Sequence, residues 1–369
     1  MRARELGIRV GDLPSGAHNA ITDVDGVRVG HSTIVRGEGP LVVGEGPVRT
    51  GVTVICPREG LARDEPLFAG CHRFNGNGEM TGLEWIREAG TLATPVAITN
   101  THSVGIVRDA LVKAEIEAST DEDYWSLPVA AETYDGTLND INGQHVTAEH
   151  VFKALASAST GPVEEGSVGG GTGMICHEFK GGIGTASRRL PEGSGGWTVG
   201  AIVQANYGIR SMLRVDGAPV GRVLDTVIVP SPNEGEDTQP AGTGSIIVVL
   251  ATDAPLLPIQ CDRLAKRATI GLGRMGGGLD HGSGDIFLAF ATGNTGRPPA
   301  GIFDPPTTLF VEMVSDKYMT PLFYAAAEAT EAAILNALLA AGDMTGRDGI
   351  TAKGLTPELL LGALEVARR

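Results

Sequence analysis

Apolar residues recur along the chain in short runs that are separated by turn-forming residues. Several runs are apolar at almost every position, which is typical of strands that are covered on both faces. The first run, Ile21–Ile34, carries Asp23-Val24-Asp25-Gly26 and predicts a hairpin. The other predicted strands are Gly51–Cys56, Pro95–Asn100, Leu127–Glu132, Trp197–Asn206, Arg222–Val229, Ser245–Thr252, Asp285–Thr292 and Thr307–Met313.

Helix signals lie between these runs. Ser103 and Thr147 can each cap a helix whose apolar residues repeat every three or four positions. Further helices are predicted to begin at Pro258, at Thr320-Pro321 and at Thr356-Pro357. Strands and helices are mixed without the strict alternation of a βαβ chain. The pattern therefore favours an α+β protein with stacked sheets covered by helices over a doubly wound parallel sheet.

Composition narrows the classes of function. The chain has 369 residues, of which 42% are hydrophobic and only 20% charged, so extended disorder is excluded. Its net charge of −15 repels phosphate backbones, which argues against nucleic acid as a partner. Met1–Asp12 has no apolar core of a signal peptide, and no run suggests a membrane span. We expect a cytoplasmic protein that does not associate with membranes.

The common catalytic and metal-binding signatures do not occur. No serine lies in a G-x-S-x-G motif, and His177-Glu178 is not followed by the second histidine of a zinc peptidase. The run Gly169–Gly173 lacks the Lys-Ser/Thr of a phosphate-binding loop. The four cysteines form no C-x-x-C pair and resemble small buried apolar residues. The chain is therefore expected to need no metal and no other cofactor.

The dipeptide Gly244-Ser245 is the sharper candidate for chemistry. Residues 231–240 are polar and rich in turn formers, which predicts an exposed loop, and an apolar strand begins at Ser245. If the Ser245 hydroxyl attacked the Gly244 carbonyl, an N-to-O acyl shift followed by hydrolysis would leave Ser245 as a new N-terminus. Its α-amine, with a pKa of about 7.7–8.0, can then act as the base for its own hydroxyl. A serine that merely caps a strand end is the alternative for these two residues alone.

Several longer motifs resemble one family. The chain is similar to the self-processing L-aminopeptidase/D-esterase and β-peptidyl aminopeptidase group, which is N-terminal-nucleophile-like. The resemblance spans about residues 5 to 365 and implies a single domain, 1–369, cleaved into a larger subunit 1–244 and a smaller subunit 245–369. It also implies a four-layer α/β/β/α sandwich with the connectivity of the aminopeptidase/ornithine acetyltransferase group. The matching motifs are residues 131–136, 166–174, 203–208, 242–255 and 282–287.

The resemblance assigns roles to individual residues. Ser245 matches the nucleophile that self-cleavage produces. Asn206 and Tyr134 match donors to the oxyanion that forms on the attacked carbonyl. Glu132 matches the carboxylate that binds the free ammonium of the substrate.

A second pair of residues completes the implied site. Ser283 and Asp285 match groups that orient the new amine and hydroxyl. Some relatives carry Glu at the position of Asp285, so the shorter side chain is expected to change the rate of self-cleavage or to reach the amine through water.

The leading hypothesis is a self-processing serine hydrolase. It would remove N-terminal residues from peptides, amides or esters that carry a free N-terminus, through an acyl-enzyme on Ser245. Related enzymes imply a homo-oligomer, a homotetramer of processed heterodimers. Two alternatives stay open: an acyltransferase of the ornithine acetyltransferase type, whose nucleophile is Thr, and a scaffold that is never cleaved and has no catalytic activity.

Overall fold

The computed structural model of the chain describes residues 1–233, 244–298 and 308–369. Its strands are β1 (Arg28–Arg36), β2 (Val48–Cys56), β3 (Leu67–Gly76), β4 (Thr91–Leu92), β5 (Val96–Asn100), β6 (Val129–Thr133), β7 (Ile175–Cys176), β8 (Phe179–Lys180), β9 (Gly182–Arg189), β10 (Thr198–Asn206), β11 (Ser245–Thr252), β12 (Gly284–Ala291), β13 (Met344–Thr345) and β14 (Thr351–Ala352). Its α-helices are α1 (Leu83–Ala89), α2 (Val104–Ala118), α3 (Ala148–Ser157), α4 (Val220–Val223), α5 (Pro258–Ala265), α6 (Ala268–Arg274), α7 (Met319–Ala340) and α8 (Pro357–Ala367).

Two sheets form the centre of the structure. The smaller sheet has the strand order β1-β2-β5-β6, and the larger one has the order β4-β3-β12-β11-β10-β9. Neighbouring strands are antiparallel except for β5 with β6 and β11 with β12, which are parallel. The parallel pair β11 and β12 therefore lies at the middle of the larger sheet, and both of its strands begin at the same edge.

Strand β11 shows why the apolar runs are continuous. Ile246, Val248 and Leu250 point to one face and join the core cluster that includes residues of α5, α6 and α7. Ile247 and Val249 point to the opposite face and pack in the cluster between the two sheets. Because successive strand residues alternate between faces, a strand covered on both sides needs apolar residues at every position.

The outer layers are helical on both sides. Helices α5, α6 and α7 cover the larger sheet. Helices α2 and α3 cover the smaller sheet through a third cluster that contains Val107, Leu111 and Val151. The order of layers is therefore α/β/β/α, and the predicted sandwich is confirmed.

Helix α7 is an interior helix of this sandwich. The segment Asp316–Ala340, which contains it, is apolar and long enough to cross a membrane by length and composition, contrary to the expectation from the sequence. However, 89% of its most apolar window is buried within the protein. It packs against β9 and β10, and its apolar surface is used inside the fold.

The predicted strand Arg222–Val229 is wrong. Its first residues belong to α4, and the chain then turns at Asp225, whose carboxylate accepts hydrogen bonds from the backbone N–H groups of Val227 and Ile228. An Asp side chain that bonds to the following backbone competes with a strand ladder. The apolar side chains of Val227 and Ile228 are consequently exposed.

Two other strand predictions need correction. Ile21–Asp23 forms a 3₁₀ turn in place of the first arm of a hairpin, and β1 begins only at Arg28. Residues 308–313 of the predicted strand Thr307–Met313 belong to no strand. Residue 307 and residues 234–240 of the predicted exposed loop lie outside the described residues.

Candidate active site

Ser245 lies where the ends of three strands meet. It is the first residue of β11 and is the pairing partner of Asn206, the last residue of β10, and of Gly284, the first residue of β12. The Gly284 N–H lies 3.2 Å from the Ser245 hydroxyl oxygen and 3.1 Å from the Gly244 carbonyl oxygen, and points to both acceptors. The hydroxyl and the adjacent carbonyl of the Gly244–Ser245 bond are thus held by one donor.

Gly244 occupies a position where no side chain fits. A Cβ atom at this position would lie 2.1 Å from the carbonyl oxygen of Asn206. Real Cβ atoms do not approach a carbonyl so closely, so the backbone would have to move. The lack of a side chain at Gly244 is therefore what allows it to lie beside the end of β10.

We expect Gly244→Ala to slow or abolish cleavage of the Gly244–Ser245 bond. The displaced backbone would move the Gly244 carbonyl away from the Ser245 hydroxyl and from the Gly284 N–H. The fraction of full-length chain on a denaturing gel over time measures the effect. Gly273→Ala is the matched control, because a Cβ there meets no atom within 4 Å. Cleavage of Gly244→Ala at the wild-type rate would show that this packing does not matter.

The Asn206 amide is held on the same face of the sheet as Ser245. Its Oδ1 accepts a hydrogen bond of 2.8 Å from the Ile175 N–H, and its Nδ2 donates one of 2.8 Å to the Tyr134 carbonyl. A backbone N–H can only donate and a carbonyl can only accept, so these partners fix the orientation of the amide. Directly paired strand residues have side chains about 4.5–5.5 Å apart at Cβ. The second N–H of Nδ2 can therefore donate a hydrogen bond to a negative charge that develops beside Ser245.

Tyr134 contributes to this arrangement through its backbone and its ring. Its carbonyl holds Asn206, and its phenol lies against Gly136. Burial raises the pKa of the Tyr134 phenol above its ordinary value, although the Arg347 guanidinium counteracts this. The phenol therefore keeps its proton at neutral pH and is available as a donor.

Ser283 and Asp285 form a hydrogen-bonded pair next to the start of β11. The Ser283 hydroxyl donates to Asp285 Oδ1 over 2.6 Å, and Asp285 is fully buried. Burial raises the pKa of the Asp285 carboxyl, and the hydrogen bonds from Ser283 and Asn75 oppose this shift. Asp285 is also the pairing partner of Ile246, the residue that follows Ser245, and the Ile246 backbone N–H hydrogen-bonds to the Asp285 carboxyl.

Asn75 is a site residue that the sequence reasoning missed. Its Nδ2 donates to Asp285 Oδ2 over 2.7 Å, so both carboxylate oxygens of Asp285 have a side-chain donor. Asn75 lies at a bulge in the pairing of β3 with β12: Asp285 pairs with Asn75 and Ile286 with Arg73, so Phe74 is an extra residue of β3. Such a bulge changes the direction in which the neighbouring side chains point. The run Asn75-Gly76-Asn77-Gly78 at a strand end is the signal that could have drawn attention to it.

Glu132 lies buried beside the same strand ends. Its Oε1 accepts a hydrogen bond of 2.9 Å from the Glu79 N–H, and its Oε2 accepts one from the Thr101 hydroxyl. A Cβ on Gly78 would lie 3.2 Å both from Glu132 Oε1 and from the Cα of Gly284, so only the Gly78 backbone separates the two. Glu132 is thus not the solvated surface charge that a lone glutamate usually is.

The Glu132 carboxyl is suited to binding a cation. Burial raises its pKa, while the hydrogen bonds from Thr101 and from the Glu79 N–H lower it. The nearby Glu79 carboxylate raises the pKa further, and His102 lowers it. An ammonium group that approached this buried carboxylate would stabilise its charged form.

Among residues 1–233, 244–298 and 308–369, no group of three His, Cys, Asp or Glu side chains is arranged to hold a metal ion. The chemistry that these residues offer is a hydroxyl beside a carbonyl, an oriented amide donor and two buried carboxyls.

Comparison with solved structures places the fold among aminopeptidases. A β-aminopeptidase from Burkholderia sp. matches all of this chain and 99% of its own with a TM-score of 0.93 and 60% sequence identity. The L-aminopeptidase D-Ala-esterase/amidase from Ochrobactrum anthropi, described as a variant of the Ntn hydrolase fold, matches all of this chain and 99% of its own. Its TM-score is 0.90 and its identity 46%. The N-terminal-nucleophile-like fold expected from the motifs is confirmed.

Sequence comparison agrees with this result. The β-peptidyl aminopeptidase BapA of Sphingosinicella microcystinivorans is 49% identical over 375 aligned positions, which cover all of this chain and 93% of that protein. The model of peptidase family S58 matches residues 19–352. The resemblance to the L-aminopeptidase/D-esterase and β-peptidyl aminopeptidase group is therefore confirmed, and with it, at the level of the family, the expected aminopeptidase activity. These matches cover most of the chain and include the strand that begins at Ser245, so the chain belongs to peptidase family S58.

Proposed function

We propose that this chain is a self-processing aminopeptidase whose nucleophile is Ser245. The observation that carries the proposal is the position of the Gly244–Ser245 bond, with its carbonyl and the Ser245 hydroxyl next to one shared N–H donor from Gly284. The names of its relatives support substrates with a free N-terminal amino group, on an α- or a β-amino acid.

The first reaction is self-cleavage. The Ser245 oxygen attacks the Gly244 carbonyl carbon, the C–N bond breaks, and the nitrogen takes up a proton to become the α-amine of Ser245. Water then hydrolyses the resulting ester, so that Gly244 becomes a C-terminal carboxylate and the hydroxyl of Ser245 is restored. The products are residues 1–244 and 245–369.

The second reaction is turnover of the substrate. The Ser245 α-amine accepts the proton of its own hydroxyl as the oxygen attacks the substrate carbonyl, and it gives that proton to the leaving amine or alcohol. Asn206 and Tyr134 stabilise the oxyanion. Asp285 and Ser283 orient the amine, which is cationic while it carries the proton. Water attacks the acyl-enzyme in the same way and releases the free amino acid.

Glu132 supplies selectivity in this scheme. Its buried carboxylate pairs with the ammonium of the N-terminal residue, so the scissile carbonyl lies within one residue of the bound amine. The cytoplasmic location, the single domain and the homo-oligomer of processed heterodimers stay predictions.

An acid quench during turnover tests the acyl-enzyme. With an amino-acyl ester as substrate, we expect the piece 245–369 to gain the mass of the amino-acyl group, because only this piece contains Ser245. The same mass on residues 1–244 would identify a different nucleophile. Transfer of an N-acetyl group from the enzyme to an added amine, without hydrolysis of amino-acyl substrates, would favour the acyltransferase alternative.

A further inference from the structure

Lys180 in β8 is a fully buried lysine behind the site. Its Nζ donates to the carbonyl oxygens of Gly171, Met174 and Gly181 at 3.3, 2.9 and 2.7 Å. An ammonium group has three N–H bonds, whereas a neutral amine has two, so three carbonyl acceptors match the charged form. No salt bridge joins Lys180 to a carboxylate within the described parts of the chain.

One of these carbonyls connects Lys180 to Asn206. The Met174 carbonyl and the Ile175 N–H belong to the same peptide group. Lys180 donates to the oxygen of this group, and its N–H donates to Asn206 Oδ1 over 2.8 Å. Lys180 is also the pairing partner of Ile175 between β7 and β8, and the N–H of the next residue, Gly181, donates to the same Met174 oxygen over 2.8 Å.

Hydrogen bonds in series strengthen one another because each donor polarises the next group. The Lys180 ammonium group, hydrogen-bonded to the Met174 oxygen, polarises the peptide group and makes the Ile175 N–H a stronger donor. That donor in turn withdraws electron density from the Asn206 amide, whose free N–H then stabilises an anion more strongly. The Ile175 contact also keeps the amide from rotating.

We propose that Lys180 is a positioning residue for the oxyanion donor: through the Met174–Ile175 peptide it orients and polarises the Asn206 amide. This inference rests on the proposed function, because it takes Asn206 as the donor to the oxyanion. It assigns a role in the reaction to a buried charge that touches neither the substrate nor Ser245.

The alternative to this role is that Lys180 serves packing alone. Burial lowers the pKa of Lys180 to about 7, and the Cys176 thiol and the Asp135 carboxyl oppose the shift. A charge in such a place is costly, and an apolar side chain such as Met would fill the same space. If Lys180 served packing alone, its removal would change stability but not the rate of a well-folded enzyme.

The test compares Lys180→Met with the wild-type enzyme. We expect kcat for an amino-acyl p-nitroanilide to fall about tenfold, with KM changed less than about twofold, since the oxyanion forms only in the transition state. Self-cleavage should slow by a similar factor, because it passes through the same kind of oxyanion. Lys353→Met is the matched control: the Lys353 side chain is exposed and pairs with Asp343 at the surface, and the substitution keeps the Lys353 carbonyl that accepts from the Lys180 N–H, so its rates should stay unchanged.

A double-mutant cycle separates positioning from stability. If Lys180 acts through Asn206, Lys180→Met should have no further effect on kcat in an Asn206→Ala background. Equal losses in both backgrounds, or a variant with wild-type kcat, would overturn the inference. If Lys180→Met does not fold, Lys180→Gln serves instead: it keeps amide donors but no charge, and the same loss of kcat is expected.

The result also distinguishes this inference from the proposed function. If Ser245→Ala or Asn206→Ala kept full activity, the proposed function itself would be wrong. If Asn206→Ala were impaired and Lys180→Met were not, only the role of Lys180 would fail.

Discussion

Ser245→Ala is expected to remain a single 369-residue chain without aminopeptidase activity. The variant lacks the oxygen that attacks Gly244, so no new N-terminus forms, and it lacks the oxygen that accepts the acyl group of a substrate. The expected loss is complete within the detection limit, because both reactions depend on the same atom. A denaturing gel and hydrolysis of an amino-acyl p-nitroanilide measure the two consequences separately.

Two variants sharpen this prediction. Ser245→Cys should still cleave itself, since a thiol makes the corresponding N-to-S shift, but should turn substrate over poorly. Ser187→Ala is the control for loss of a buried hydroxyl in the same sheet. The Ser187 hydroxyl donates to Asp23 and lies on β9, so this variant should be cleaved and active. Activity of Ser245→Ala near the wild-type level would mean that another nucleophile is used.

Glu132→Gln is expected to lower kcat/KM about 10- to 150-fold for substrates with a free N-terminus. A charge-assisted hydrogen bond contributes roughly 1.5–3 kcal/mol, and each 1.4 kcal/mol corresponds to about a tenfold change. The same substrate with an acetylated N-terminus should be poor for both enzymes. Self-cleavage should survive, because the Gly244–Ser245 bond presents no ammonium group to Glu132.

Glu115→Gln provides the matched control for Glu132. Glu115 is equally buried, and burial raises its pKa to about 7, but it bonds to Ser126 beside helix α2. Its replacement should leave the preference for a free N-terminus unchanged. Equal wild-type rates on free and acetylated substrates would show that the enzyme does not require a free amine.

The pH dependence of Glu132→Gln follows from the sign of the pKa shift. Burial raises the pKa of Glu132, so its carboxylate is lost by protonation at a higher pH than for an ordinary glutamate. The advantage of the wild type over Glu132→Gln should therefore be largest above that pKa and shrink as the pH falls through it. A ratio of kcat/KM values that does not change with pH would contradict the assignment of this carboxylate to the substrate ammonium.

The sequence was informative where local chemistry determines structure. Ser245–Thr252 was predicted as a strand with the bounds that β11 has, because a buried strand must be apolar on both faces. Thr147 and Pro357 marked helix starts for the same kind of local reason, a capping side chain and a fixed φ angle. The strand predicted at Arg222–Val229 failed because one carboxylate, that of Asp225, bonded to the backbone.

The assembly of the site could not be predicted from such patterns. Ser245, Gly284 and Asn206 come together through the pairing of β11 with β12 and β10, and strand order depends on the packing of the whole chain. The burial of Glu132 and the contact of Asn75 with Asp285 depend on the same arrangement. The motif resemblance supplied the residues, whereas their distances and partners required the three-dimensional structure.

The intact mass of the purified wild-type protein tests self-cleavage most directly. We predict two pieces that co-purify, residues 1–244 and 245–369, of about 25 and about 13 kDa from a chain of 38.2 kDa. They should stay together because β11 lies between β10 and β12 in the core. N-terminal sequencing of the smaller piece should begin at Ser245. A smaller piece that begins at another residue, or an uncleaved chain with full aminopeptidase activity, would contradict the mechanism.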